Sequence, residues 1–454
     1  MKTLSNNTPA RNTLAAKTLY WVTRDLRLDD NIALSIAAQS ESLLIACCVD
    51  PRWFSPIRYQ LPSAGIHRWN FIQESLSDLN NSLLNLNQQL LVYYERPELK
   101  LVQLIRDHRI QRLVCCRQFG WDEIQILASI QKQLPDLTIE QVDSTTVFDL
   151  QQLPFAPGEI PQTYSRFRRA VENLPVTSPR PAPDSLPPPV IEIPGSLTRP
   201  DWVPDAQATA CPFRGGETEA LQHLQQYFSG NLPLHYKEVR NELAGWDNSS
   251  KMSPWLNNGC LSPRRLKTVL DNYEQTQQRN ESTYWLWVEL LWREYFQWLA
   301  LQLGTRLFTL QGTAERRPLR CFHPDRYQAW CNGNTPYPLV NACMRELATT
   351  GYLSNRGRQI AASCFINELQ LDWRYGAAWF EHQLVDYDVA ANWSNWQYIA
   401  GVGADPRGGR HFNLEKQTDI YDPRGNYRDL WTSSEDLLPL DSRDAADWPI
   451  IPSS

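Results

Sequence analysis

Two domains are predicted by the sequence: a doubly wound, parallel α/β domain and, across a proline-rich connector, an all-helical one. Three observations predict them. Short apolar runs alternate with helix-period segments from Leu19 to Asp143, residues 176–212 are crowded with proline, and from Gly216 onward the apolar residues recur at helical spacing. At 454 residues the chain is too long for one compact core, which agrees with this division.

The elements follow in order. Residues 1–16 (MKTLSNNTPARNTLAA) are polar and free of acidic side chains, without the apolar segment of a secretory signal, so they read as a flexible extension. An organelle transit peptide is the alternative to a cytoplasmic placement. The α/β domain spans 17–150, with strands expected at 19–22, 43–49, 90–94, 113–116 and 137–142. Between the second and third strands Ile66, Trp69, Ile72, Leu76, Leu79 and Leu83 make an amphipathic helix. Strands apolar on both faces imply a sheet covered on both sides, with a ligand crevice at the C-terminal strand ends. No G-x-G-x-x-G follows the first strand, and TRDLRLDDN (23–31) stands in its place. The connector covers 151–215 as a semi-extended segment. Helices are expected at 217–228, 262–279, 283–302, 339–350 and 357–382 in a domain ending near 435, and 436–454 form a tail.

Composition narrows the function classes. A net charge of -6 and a pI near 5.7 speak against indiscriminate attraction to nucleic acid, although a local basic groove is compatible with them. No apolar run approaches the roughly 20 residues of a membrane helix. Ten cysteines without a C-x-x-C fit reduced, buried thiols better than zinc or disulfides, so no metal site is expected.

Several stretches carry polar residues suited to chemistry. In STYWLWVELLWREYFQWLA (282–300), Glu289, Trp292, Arg293 and Phe296 share one helix face, either as a Glu289–Arg293 surface pair or as the polar floor of an aromatic cavity. Asn355, Arg356 and Arg358 stand at a helix start, where free N–H groups and guanidinium forks favour anions. Asp386 and Asp388 are either acceptors for Arg358 and a ligand ring or turn caps. Residues 247–264 (DNSSKMSPWLNNGCLSPR) offer hydroxyls and a Lys before a helix, either a pyrophosphate cradle or simply a loop. NWSNWQYIAGVGADPRGGRHFN (392–413) packs Trp396 and Tyr398 beside Asn392, as core or as a platform for a flat ligand.

Taken in this order, these segments resemble the photolyase/cryptochrome family, and within it the cryptochrome DASH branch. The resemblance is carried by WVTRDLRLDDNIAL (21–34), LPF…PQTYSRFRRAVE (153–172), FRGGE (213–217), SSKMSPWLNNGCLSPR (249–264), ELLWREYF (289–296), SNRGRQ (354–359), DWRYGAAWFE (372–381) and the 392–413 stretch. It implies FAD bound in the helical domain. Tyr236, Ser249, Ser250, Lys251, Met252 and Ser253 would face ribityl and phosphates, and Arg293, Asn355, Arg358, Asp386, Asp388 and Asn392 the ring. It also implies light-driven repair of cyclobutane pyrimidine dimers by electron transfer from reduced FAD, in a pocket of Glu289, Trp292, Gln359, Trp396 and Tyr398. Gln359 and Tyr398 replace the Met and Trp typical of duplex-repairing relatives, so single-stranded DNA is the expected substrate. Arg345, Arg356, Arg407 and Arg410 would contact it. A light receptor or DNA-binding regulator is the competing function, and a monomer is expected.

The chain also departs from the family pattern. A relay of Trp396 and Trp373 should continue to a third Trp, but that position holds Arg320, leaving termination or a route through Trp330 or Tyr327 open. GNTPYPLVNACMREL (333–347) lacks the family's Lys, second Gly and Asp. Gln118 and Gly120 stand where antenna-binding relatives carry a Glu, leaving a methenyltetrahydrofolate antenna open.

Overall fold

The computed structural model describes residues 16–431 apart from 57, 157, 192–198, 315–317 and 405–408, so nearly all of the expected N-terminal extension and the whole tail lie outside the described residues. Strands β1 (Lys17–Val22), β2 (Ser42–Cys48), β3 (Leu90–Tyr93), β4 (Arg112–Cys116) and β5 (Thr138–Val142) form one parallel sheet in the order β3-β2-β1-β4-β5. Helices α1 (Ile32–Ala37), α2 (Ile66–Leu84), α3 (Pro97–His108) and α4 (Trp121–Gln133) supply the crossovers. Leu19, Tyr20, Trp21 and Val22 are all buried, as both faces are covered. β5 (TIEQV) is the half-exposed edge.

β2 and β3 lie on one side of β1, and β4 and β5 on the other, so the crevice opens at the C-terminal ends of β1 and β4. The TRDLRLDDN loop there clasps the helical domain. The buried Arg27 guanidinium donates to the carbonyl oxygens of Asp29, Asp30, Ser144 and Gly259 at 2.5–3.1 Å. Arg264 Nε donates to Asp30 Oδ2 at 2.9 Å, with both side chains 1% exposed. Glu217 accepts from the Leu28 and Asp29 amides at 2.7 and 2.8 Å. Gly259 has a φ of +79°, and a Cβ there would lie 1.8 Å from the Arg24 carbonyl oxygen, so only glycine permits this approach.

The connector returns along the sheet, where Pro188 O accepts from Leu43 N at 2.9 Å and Pro204 O from Trp69 Nε1 at 2.9 Å. It also contains α5 (Tyr164–Val171), which its proline-rich surroundings hid. Beyond it come α6 (Glu217–Ser229), α7 (Leu232–Val239), α8 (Ser253–Asn258), α9 (Pro263–Thr276), α10 (Glu281–Leu303), α11 (Pro324–Cys331) and α12 (Pro338–Thr350). Then follow α13 (Asn355–Ser363), α14 (Trp373–Gln383), α15 (Val389–Ala400), α16 (Leu414–Tyr421) and α17 (Asn426–Trp431).

The single helix expected over 357–382 is two. A π turn (Cys364–Glu368) follows α13, Gln370 turns left-handed at φ 55°, and Asp372 caps α14 by accepting from Arg374 N at 3.0 Å. A bridge between Cys321 and Leu371 holds the break, a long-range partner that periodicity does not show. All ten cysteines are free. Among the described residues no helix is long and apolar enough to cross a membrane.

α10 is central to the helical domain. Its Glu294 is fully buried and accepts from Val147 N (2.8 Å), Phe148 N (3.2 Å) and Trp298 Nε1 (2.8 Å), tying the helix to the chain leaving β5. Burial pushes that carboxyl up to about 7.

Candidate active site

A cleft lies beside α13, α14 and α15, lined by Asn257, Asn355, Arg358, Gln359, Asp386, Asp388, Asn392, Asn395 and Trp396, with Phe380 and Leu384 as apolar wall. Of the residues expected to act together, Asn355, Arg358, Gln359, Asp386, Asp388, Asn392 and Trp396 meet here. Glu289, Trp292, Tyr398, Arg293, Tyr236 and the 249–253 run are not among the lining residues. Arg358 Nη2 holds Asp386 at 2.8 and 3.0 Å, and Ser253 Oγ donates to the same carboxylate at 2.6 Å. Asn257 Nδ2 donates to Asp386 O at 2.7 Å. Asp388 caps α15 through Ala391 N (2.8 Å) and lines the cleft, and the cation it accepts from is Arg24 Nη1 of the β1 loop (2.9 Å) rather than Arg358. Asn392 donates to Ala377 O at 3.0 Å.

Glu289 and Arg293 do not pair along α10. Arg293 reaches Asn257 Oδ1 (2.9 Å) and the carbonyls of Thr145 (2.7 Å) and Leu256 (3.1 Å), behind the cleft. Glu289 meets Arg240 Nη1 at 2.6 Å. Tertiary partners outcompete an i,i+4 pair of a few tenths of a kcal/mol. Arg240 escaped sequence reasoning, although its place four residues after Tyr236 at the end of α7 was a usable signal. Burial raises the Glu289 carboxyl and Arg240 lowers it; with 31% of the Glu289 side chain exposed, water moderates both.

The 249–253 loop supplies cationic character. Lys251 sits at φ 53°, is buried, and donates to Asn248 Oδ1 at 2.7 Å; burial lowers its ammonium to about 8. The Tyr352 ring lies 4.9 Å from the Lys251 ammonium and 5.3 Å from the Arg358 guanidinium. Ser250 O pairs with His223 Nε2 at 2.8 Å, while Met252 and Tyr236 are buried beneath.

The aromatic residues expected at the site fall into separate groups, Trp396 among Trp330, Phe365 and Phe380, Tyr398 with Trp292, and Trp373 with Trp393. Trp396 packs on α14 so closely that a Cβ at Gly376 would lie 2.3 Å from its ring. Two residues along α15, Tyr398 meets Trp292 edge-on at 6.5 Å. Trp292 is itself stacked on Tyr164 of α5, with centroids 3.6 Å apart and planes 14° from parallel. Trp373 is fully buried, and its ring neighbour is Trp393 at 5.8 Å.

Of the arginines expected to meet DNA, Arg407 lies outside the described residues. Arg345 donates to Gly333 O (2.7 Å), Asn334 Oδ1 (2.9 Å) and Trp431 O (3.3 Å), bracing the altered 333–347 segment against α17. Arg356 lies over the Tyr421 ring at 4.7 Å and donates to Asn241 at 3.1 Å, and Arg410 donates to Tyr398 Oη at 2.5 Å. At the sheet crevice, Gln118 is buried and donates to Thr23 Oγ1 and Cys116 O, each at 2.9 Å.

Comparison with known proteins bears on the cleft directly. Residues 285–445 match the family model for the FAD binding domain of DNA photolyase, and residues 18–187 match that for DNA photolyase. A protein named Cryptochrome DASH from Idiomarina loihiensis is 45% identical over 95% of this chain and 96% of its own length. The chain belongs to the photolyase/cryptochrome family, in the cryptochrome DASH branch. The cryptochrome of Synechocystis sp. PCC6803 superposes with a TM-score of 0.87 at 37% identity, covering 93% of this chain and 89% of that one. A bacterial class III photolyase from Agrobacterium tumefaciens gives 0.79 at 26% identity over 98% and 94%. As a cryptochrome DASH family member the protein is an FAD-binding flavoprotein of photolyase type, and its cleft fits that cofactor. Amide side chains of Asn257, Asn355, Asn392 and Asn395 suit a heteroaromatic edge bearing carbonyls and ring nitrogens, and the Arg358 guanidinium suits an anionic group.

Proposed function

We propose that this protein repairs cyclobutane pyrimidine dimers under blue light, with preference for single-stranded DNA. Reduced FAD supplies, when bound, the light-driven electron that opens the dimer. The chain's own residues do the rest. Lys251, Ser249 and Arg358 hold phosphates and ribityl, while Asn355, Asn392 and Asp388 orient the ring. Trp292 and Tyr398 offer ring faces to an extruded dimer, each stacking contact being worth about 1–3 kcal/mol.

The observation that carries the reading is the Arg240–Glu289 pair at 2.6 Å, with Arg240 4.9 Å over the Trp285 ring and Glu289 one turn before Trp292 on α10. Negative charge developing on the dimer needs a donor next to it, and an isolated carboxylate offers none. The paired Arg240 guanidinium does, with Glu289 fixing its position.

Strand preference is argued from Gln359 on the cleft wall and Tyr398, whose hydroxyl is bonded by Arg410. A polar pocket holds a flipped dimer less tightly than an apolar one and repays less of the unpairing cost, which a single strand does not impose. The deciding experiment is repair of a thymine-dimer oligonucleotide by chemically reduced protein, single-stranded and duplex, in blue light and in darkness. Light-dependent repair of the single strand alone is expected. Repair of neither by protein carrying full FAD would overturn the reading in favour of a light sensor; equal repair of both would overturn the strand preference.

A further inference from the structure

Aromatic rings continue from Trp373 toward the surface. Trp373 meets Trp393 at 5.8 Å, Trp393 meets Tyr59 at 6.0 Å, and Tyr59 meets Tyr375 at 5.1 Å. On the other side, Trp396 meets Trp330 at 6.1 Å. Trp373 begins α14 one turn before Gly376, against which the Trp396 ring packs, and Trp393 lies one turn before Trp396 on α15.

These indoles differ in what their N–H faces. Trp330 Nε1 donates to Ala361 O at 3.1 Å and Trp373 Nε1 to Leu310 O at 3.1 Å; neither amide carbonyl takes up a proton. Trp393 Nε1 donates to Glu381 Oε2 at 3.1 Å and to Tyr387 Oη at 3.3 Å. The Tyr327 hydroxyl is buried against the Cys331 thiol, which is no base. An oxidised indole is a far stronger acid than the neutral ring, so an indole 3.1 Å from a carboxylate deprotonates where its neighbours cannot. Burial raises the Glu381 carboxyl, which makes its carboxylate the stronger proton acceptor, and Arg68, whose guanidinium lies 4.6 Å over the Tyr387 ring, opposes that rise only in part. Trp393 is 3% exposed, so a radical formed there is shielded from water.

We propose that Trp393, with Glu381 as its proton acceptor, is where the oxidising equivalent of flavin photoreduction comes to rest. This rests on the placement of flavin against Trp396. One electron leaves Trp393 through Trp373 and Trp396 for the photoexcited flavin. The Nε1 proton passes to Glu381 Oε2, and a neutral indolyl radical remains. One electron from an added thiolate and the proton from Glu381 restore the indole.

The test is flash photolysis of the oxidised, FAD-loaded full chain with and without an added thiol, reading the neutral and cationic indolyl radicals by transient absorption and electron paramagnetic resonance. Wild type is expected to give a long-lived neutral radical. Trp393→Phe should lower its yield at least tenfold, Trp393→Tyr should replace it with a tyrosyl signal, and Glu381→Gln should leave a cation that recombines at least tenfold faster. Trp330→Phe should change nothing. A wild-type radical yield in Trp393→Phe, or its loss in Trp330→Phe, overturns the proposal. FAD absorbance and light-driven repair by chemically reduced protein separate the levels. No radical from wild-type protein with normal FAD and repair overturns Trp393 alone, whereas protein without FAD overturns the site reading as well.

Discussion

Arg240 and Glu289 face each other at 2.6 Å across the end of α7 and the middle of α10, so the carboxylate proposed to work on DNA is held by a cation from another helix rather than by its own helix neighbour Arg293. Removing it leaves Arg240 without this anchor while the cleft wall stays intact. Glu289→Ala is expected to lower light-driven repair by about 10²-fold, the usual loss when one group serving a developing charge is removed. FAD absorbance should match wild type. Unchanged repair would remove Glu289 from the mechanism.

The Tyr164–Trp292 stack makes a second prediction. The Tyr164 ring is buried, its hydroxyl donates to Val288 O at 2.7 Å, and its face covers one side of Trp292. Tyr164→Ala should destabilise the fold by about 3 kcal/mol, as for other buried aromatic truncations, and loosen Trp292, weakening binding of single-stranded dimer DNA. Tyr164→Phe keeps the stack and should cost only about 1 kcal/mol for the lost hydrogen bond. Denaturant midpoints and binding titrations check both, and equal binding by the two variants would show that Trp292 needs no such support.

How much of this was legible in the sequence depends on whether the signal was local. The five strands were legible because both faces of the sheet are covered, which leaves near-continuous apolar runs. The cleft residues were legible through ordered motifs, and Arg358 does hold Asp386. What escaped depends on long-range partners. α5 lies among Pro and Gly residues, and its importance comes from one ring stacked on α10. The break between α13 and α14 depends on a bridge from Leu371 to Cys321, fifty residues back in sequence. TRDLRLDDN shows in the sequence only as standing where a glycine-rich loop would be; in the fold it is an interdomain clasp because its charges meet Gly259, Arg264 and Arg265 and its backbone amides meet Glu217.

Lys251 predicts a pH dependence. Its ammonium is lowered to about 8 in the folded protein against an ordinary value of 10.5. A diphosphate is held best by the charged form, so FAD affinity should fall as pH rises through about 8. The fold without FAD should behave oppositely. Between about 8 and 10.5 the unfolded chain binds the extra proton, so this group makes stability rise with pH over that window. Lys251→Met should flatten both trends, and titrations of FAD binding and of thermal midpoint from pH 7 to 10 measure them. A pH-independent affinity in wild type would remove Lys251 from the phosphate site.

The domain clasp yields the last prediction. Asp30 and Arg264 are each 1% exposed, and Asp30 also bonds Ser262 Oγ, so the pair has little water to fall back on. Replacing such a pair with apolar residues can be nearly neutral, but removing one partner strands the other charge, at a cost of about 3–5 kcal/mol. Asp30→Asn keeps the shape and removes the charge, so it isolates that cost; the joint change Asp30→Asn with Arg264→Met should recover part of it. The loss should appear in interdomain closure as well as in stability, because Arg24, six residues before Asp30, reaches Asp388 on the cleft wall. Weaker FAD retention is therefore expected in Asp30→Asn along with a lower melting temperature. Loss of stability with unchanged FAD retention would show that the clasp holds the domains together without shaping the site.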